Sequence, residues 1–159
     1  MAIEIERRFL IKDESWRAEA DGGVAIRQFY LAARPGFSTR VRVRDEAEAL
    51  LTLKAGSGLT RHEFEYPVPL EDARGLEASC MGAVIEKRRH KLAFGRHTVE
   101  IDVFAGALAP LVLAEIEYAT EEESDAELPA FLGREVTHDG AYNNAALALN
   151  GLPADFRPR

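Results

Sequence analysis

A chain of 159 residues, 47% hydrophobic and 30% charged, has the composition of one globular domain with a real core and excludes a disordered protein. Its net charge of −7 argues against broad nucleic-acid binding, and no apolar run is long enough to span a membrane, so neither partner is expected. The single cysteine, Cys80, excludes an internal disulfide and reads as a small core residue; with Glu4 and Glu6 where a signal peptide needs basic and apolar residues, it points to the cytoplasm.

From Ile3 to Ile11 the residues alternate as in a strand, with Glu4, Glu6 and Arg8 on one face and Ile3, Ile5, Phe9 and Ile11 on the other. A short helix is predicted over Asp13 to Ala20, capped by Asp13, anchored by Trp16 and stopped at Gly22-Gly23. Val24 to Ala33 is a second strand, in which Ile26, Gln28 and Tyr30 share a face, and Arg34 to Gly36 is a turn. Ser38 to Asp45 gives the clearest alternation: Arg40, Arg42 and Arg44 against Val41 and Val43. Three like charges in a row repel one another unless an anion or carboxylates answer them.

Leu50 to Lys54 sets Thr52 and Lys54 opposite Leu51 and Leu53. After a Gly-rich loop, Arg61 to Val68 sets Arg61, Glu63 and Glu65 opposite His62, Phe64 and Tyr66. His62 is therefore read as a packing or surface residue. A helix is predicted over Leu70 to Met81, ended by Gly82. Val84 to Phe94 and His97 to Ala105 form a hairpin about Gly95-Arg96, with Lys87 and Arg89 on one arm and Glu100 and Asp102 on the other. The last strand starts at Pro110 and alternates Glu115 and Glu117 with Ala114, Ile116 and Tyr118. Thr120 to Glu123 matches a capping box for a short acidic helix, Phe131 and Leu132 read as packing anchors, and a final helix runs from Ala141 to Leu149. Residues 1–152 are thus expected to form the domain, and 153–159 a loose tail.

Eight strands are predicted, and seven of them carry ionisable residues at alternate positions. Carboxylates at 4, 6, 63, 65, 100, 102, 115 and 117 fall on the same face as bases at 8, 40, 42, 44, 54, 61, 87 and 89, and the other face is apolar. A sheet with one wet face explains alternation but not such matched rows of acids and bases. Closing the sheet into an eight-stranded antiparallel β-barrel, charged face inward and helices packed outside, explains both, an α+β tunnel. Clustered carboxylates suit a hard divalent cation such as Mg²⁺ or Mn²⁺, and Arg and Lys rows suit phosphate oxygens. Together they describe a site for a metal-bound phosphate chain.

These residues resemble a known family. Glu4-Ile5-Glu6-Arg7-Arg8 is similar to the Glu-x-Glu-x-Lys signature of the CYTH superfamily, the triphosphate tunnel metalloenzymes. Arg40 to Arg42, Leu53-Lys54, Gly58 to Glu65, Lys87 to Arg89, Glu100 to Asp102, Ala114 to Glu117, and Glu135 to Asp139 followed by Tyr142 to Asn144 keep the family's order over nearly the whole chain. The resemblance implies a tunnel that binds a triphosphate-containing small molecule with a divalent metal. By position, Arg8, Arg40, Arg42, Lys54, Arg61, Lys87 and Arg89 would hold phosphates, and Glu4, Glu6, Glu63, Glu65, Asp102, Glu115 and Glu117 would form the metal side.

The leading expectation is a metal-dependent triphosphatase acting on inorganic triphosphate. An adenylyl cyclase or thiamine triphosphatase of the same fold, and a catalytically weak polyphosphate-binding module, stay open, as does a homodimer. Arg8 stands where the signature has lysine; arginine stays protonated and clamps phosphate rather than taking a proton. Lys87, if its neighbours depress its pKa, or a metal-bound water are then the candidate bases. Ala141 stands where relatives often carry a basic residue before the tyrosine.

Overall fold

The computed structural model describes residues 2–159; Met1, the first residue of the expected domain, lies outside them. Nine strands form one antiparallel sheet: β1 (Ala2–Ile11), β2 (Val24–Arg34), β3 (Phe37–Arg44), β4 (Glu48–Ala55), β5 (Thr60–Val68), β6 (Met81–Phe94), β7 (His97–Phe104), β8 (Val112–Tyr118) and β9 (Leu132–Glu135). Strands pair in the order β5-β4-β3-β2-β6-β7-β8-β1, and β1 pairs back to β5, which closes an eight-stranded barrel. The register sets Arg42 opposite Gln28, Arg40 opposite Thr52, Glu4 opposite Arg61 and Arg8 opposite Glu115. Because side chains alternate, these pairs all point into the lumen.

The closing strand has two partners along one edge. Residues Ala2 to Ile5 of β1 pair with β5, and the same edge at Phe9 and Ile11 pairs with β9. The ninth strand was not among those expected. It is four residues long, too short to show a period, and Gly133 fits there because an added Cβ would lie 3.3 Å from the Leu10 carbonyl oxygen. Phe131 and Leu132, expected as anchors, pack on the core beside it.

Apolar residues gather in three clusters. Two lie on the outer face. The first holds Trp16, Phe9, Val99, Ile101 and Ile116. The second holds Phe29, Val41 and Ala73, the last from helix α1 (Leu70–Leu76). Cys80 packs at its margin, half-buried rather than central. The third lies at one end of the tunnel, where helix α2 (Asn144–Asn150) sets Leu147 and Ala148 against Tyr30, Ile85, Phe104 and Leu113. Those four strand residues share the inward face with the lumen charges, so at this end the lining turns from charged to apolar and α2 covers it. No helix among the described residues is long and apolar enough to cross a membrane.

Several local expectations shift by a turn. Asp13 does accept hydrogen bonds from the Ser15 amide and hydroxyl, but only a 3-10 turn, Ser15–Ala18, follows. The Thr120 hydroxyl accepts from the Glu123 amide, again starting a 3-10 turn, Glu122–Asp125. Helix α1 stops at Leu76, and Met81 already belongs to β6. Gly82 therefore does not end a helix. It has φ +67°, and an added Cβ would lie 2.4 Å from the Ala148 carbonyl oxygen, so glycine there lets β6 approach α2. The final helix begins at Asn144, where the Asn143 side chain accepts from the Ala146 amide at 2.7 Å. The tail is not loose: Asp155 accepts from Tyr142 Oη and Arg134 Nη2, and Phe156 packs on the third cluster.

Candidate functional site

The lumen holds a cavity of about 480 Å³. It opens between the β2–β3 turn, the β4–β5 loop and the segment from Thr137 to Ala145. Of the expected phosphate residues, Arg8, Arg40, Arg42, Lys54, Arg61 and Arg89 line it, joined by Arg44. Of the expected metal residues, Glu4, Glu6, Glu63, Glu65, Glu115 and Glu117 line it, joined by Glu100. A smaller cavity of about 70 Å³ lies toward the other end, bounded by Asp21 and Lys91, and shares Arg42, Arg44, Arg89 and Glu100 with the first.

Acids and bases neutralise one another across this lumen. Lys54 Nζ lies 2.9 Å from Glu4 and 3.2 Å from Glu63, and Arg61 Nη2 lies 2.9 Å from both Glu4 and Glu6. Arg8 Nη2 donates to Glu6 at 2.9 Å, and its Nε faces Glu115 at 3.4 Å. Arg89 reaches three carboxylates: Asp102 at 2.7 Å, Glu100 at 3.1 Å and Glu115 at 3.2 Å. This explains how β7 and β8 tolerate Glu100 directly opposite Glu115. Glu117, opposite Glu6 on β1, has no such base among the described residues.

The electrostatics follow from these neighbours. Burial pushes Glu117 above the ordinary carboxylate range, and Glu4, Glu63 and Glu6 add to it. Burial likewise raises Glu6, with Glu115 reinforcing it. Burial works the same way on Glu115, but Arg89 and Arg8 overcome it and hold the group well below its usual value. Burial lowers Arg42 to about 9, helped by Arg40 and Arg89. Burial opposes the charge on Arg8 too, yet Glu115 and Glu6 raise its pKa, so it stays a guanidinium.

Lys87 and Asp102, expected at the phosphate and metal positions, do not line the main cavity. The Lys87 side chain is 0% exposed, and its Nζ donates to Asp102 at 2.6 Å and to Asn144 Oδ1 at 2.9 Å. Burial, reinforced by Arg89 and Arg42 against the pull of Asp102, lowers its pKa to about 7. Lys87 thus has the pKa asked of a base but is walled off by Asn144, which arrives on α2. Asp102 is held at about 2: burial opposes its charge, and Arg89 and then Lys87 outweigh it. Sequence reasoning placed Gln28 and Tyr30 on one strand face and Asn144 in the C-terminal motif but gave none of them a site role. Gln28 is fully buried and accepts from Arg42 Nε, and Tyr30 and Asn144 line the cavity. The lumen-facing register of Gln28 and Tyr30 was readable; the arrival of Asn144 was not.

A divalent cation fits the carboxylate side. The donors are hard oxygens, and Glu117, opposite Glu6, has no base paired with it among the described residues. Bases hold these oxygens apart rather than letting them gather into a ready metal cage among the described residues.

Comparison with known proteins agrees with this geometry. An inorganic triphosphatase from Acetivibrio thermocellus is 38% identical over 151 residues, covering 94% of this chain and 96% of its own. One from Nitrosomonas europaea is 39% identical over 154 residues, covering 92% and 97%. The crystal structure of the inorganic triphosphatase NE1496 superimposes with a TM-score of 0.69 at 33% identity, covering 96% of this chain and 99% of that one. The sequence profile of the CYTH domain matches residues 2–139, and with that span and these relatives the chain belongs to the CYTH family.

Proposed function

We propose that this chain hydrolyses inorganic triphosphate to diphosphate and phosphate with the help of a divalent cation, Mg²⁺ or Mn²⁺. One observation carries the reading. Rows of bases and carboxylates face each other across a cavity of about 480 Å³ inside a closed barrel, the two charge types that a metal-bound phosphate chain needs. The relatives named inorganic triphosphatase, at 38% and 39% identity over nearly their whole length, support the same substrate.

In this reading Arg40, Arg42, Lys54, Arg61 and Arg89 bind the phosphate oxygens and orient the chain. Arg8, fixed between Glu6 and Glu115, stays charged and offsets negative charge on the transferring phosphoryl group. Glu4, Glu6, Glu63, Glu115 and Glu117 would hold the cation, which supplies Lewis-acid polarisation of phosphate and a lowered pKa for bound water. Glu65, tied to the Thr52 hydroxyl at 3.2 Å and otherwise exposed, stands at the edge of that set. Lys87 and Asp102 act from behind the wall: Asp102 orients Arg89, and Lys87 holds Asn144. The lone Cys80 supports a reducing, cytoplasmic site for the reaction.

The test incubates the protein with inorganic triphosphate or ATP plus Mg²⁺ or Mn²⁺ and quantifies phosphate, diphosphate and cyclic AMP. Preferential cleavage of triphosphate supports the proposal. Cyclic AMP from ATP would replace it with a cyclase, and tight binding without any product would leave a polyphosphate-binding module.

A further inference from the structure

The tunnel wall contains a donor that carries no charge. Arg42 Nε can only donate, so the Gln28 atom 2.9 Å from it must be Oε1. The other end of that amide, Nε2, then donates at 2.8 Å, and the Asn144 atom it meets must be Oδ1. Lys87 Nζ donates to the same oxygen at 2.9 Å. Two independent donors therefore fix the Asn144 carboxamide in one orientation. Asn144 is only 7% exposed and lines the main cavity, yet its Nδ2 has no hydrogen-bond partner among the described residues. A donor held in one orientation on the cavity wall and not used within the protein is available to an acceptor in the cavity.

We infer that Asn144 is a further substrate-binding residue, whose Nδ2 donates to a phosphate oxygen of the bound triphosphate. This rests on the triphosphate reading of the tunnel and deepens it. The relay through Gln28 and Lys87 adds to the donor's strength, because an amide oxygen that accepts two hydrogen bonds leaves its nitrogen more positive. The residue stands three positions after Ala141, on the segment that borders the mouth, and supplies a neutral contact there.

The test uses the full chain and two readouts. In proton–nitrogen NMR spectra, with the Asn144 side chain assigned from backbone connectivities, its NH₂ pair should shift on saturation with Mg²⁺ and the bridging-imido analogue of triphosphate, which resists hydrolysis. The variant Asn144→Asp keeps the oxygen that Gln28 and Lys87 bond but has no NH₂. It should melt no lower than the wild type and bind the analogue about tenfold more weakly or worse. An NH₂ pair that stays still at saturation, or a variant that binds within about twofold of the wild type, overturns the inference. Triphosphate hydrolysis by a wild type whose NH₂ pair does not move would sink this assignment alone. A shifting pair without hydrolysis would instead sink the triphosphatase reading.

Discussion

Replacing Asp102 by asparagine keeps the shape of the side chain and removes the charge on which two buried bases converge. Asp102 is 1% exposed and accepts from Lys87 Nζ at 2.6 Å, Arg89 Nε at 2.7 Å and Arg89 Nη2 at 2.8 Å. An asparagine offers one accepting oxygen, and its NH₂ must face a donor. Breaking a buried pair from one side costs about 3–5 kcal/mol. Two features favour the lower end. Arg89 retains Glu100 and Glu115, and Lys87, with a pKa near 7, can shed its proton at neutral pH. We therefore expect Asp102→Asn to lose about 3 kcal/mol in urea titrations at neutral pH. The sign of the pH dependence is also fixed. Asp102 has its folded pKa lowered from 3.8 to about 2, so its stabilisation is present above about pH 4 and is lost as pH falls toward 2. The gap between wild type and variant should close over that window. A loss below about 1 kcal/mol at neutral pH, or a gap that stays constant down to pH 2, would refute this reasoning.

Other expectations follow from the same contacts. Lys87→Met removes a buried base whose folded pKa, about 7, lies below its ordinary 10.5, so the wild type should gain stability as pH rises across that interval and the variant should not. A parallel rise in both proteins would show that Lys87 is already charged throughout. Glu117→Gln relieves a crowded carboxylate without unfolding the protein, and it should raise the Mn²⁺ concentration needed for half-maximal activity several-fold; an unchanged metal dependence would remove Glu117 from the metal side. Arg8→Lys should weaken triphosphate binding about tenfold, through loss of the guanidinium's multiple contacts, and leave kcat flat or lower. A kcat that climbs with pH in that variant would mean that position 8 is where a base belongs.

Much of the fold was legible because the signal was local and two-fold periodic. Arg40, Arg42 and Arg44 against Val41 and Val43 announce an inward and an outward face on their own, and the matched acids on β1, β5, β7 and β8 imply closure. What stayed hidden depended on segments far apart in sequence. Periodicity set Lys87 and Asp102 on the lumen face correctly, but it could not show that α2, more than forty residues later, would lay Asn144 over Lys87. Gly82 illustrates the same limit. A glycine after a helical stretch reads as a stop, whereas here it makes room for the Ala148 carbonyl. Strand β9 pairs with β1 across more than a hundred residues and is too short to alternate visibly.

The central claim is that the facing rows of charge turn over a triphosphate rather than merely hold it. A phosphorus NMR time course of inorganic triphosphate with catalytic amounts of protein and Mg²⁺ addresses it most directly. The account predicts that triphosphate signals give way to diphosphate and phosphate in equal amounts, and that chelating the cation stops the conversion. Triphosphate signals that persist unchanged over many hours, in a protein that binds the anion and is fully folded, would contradict it.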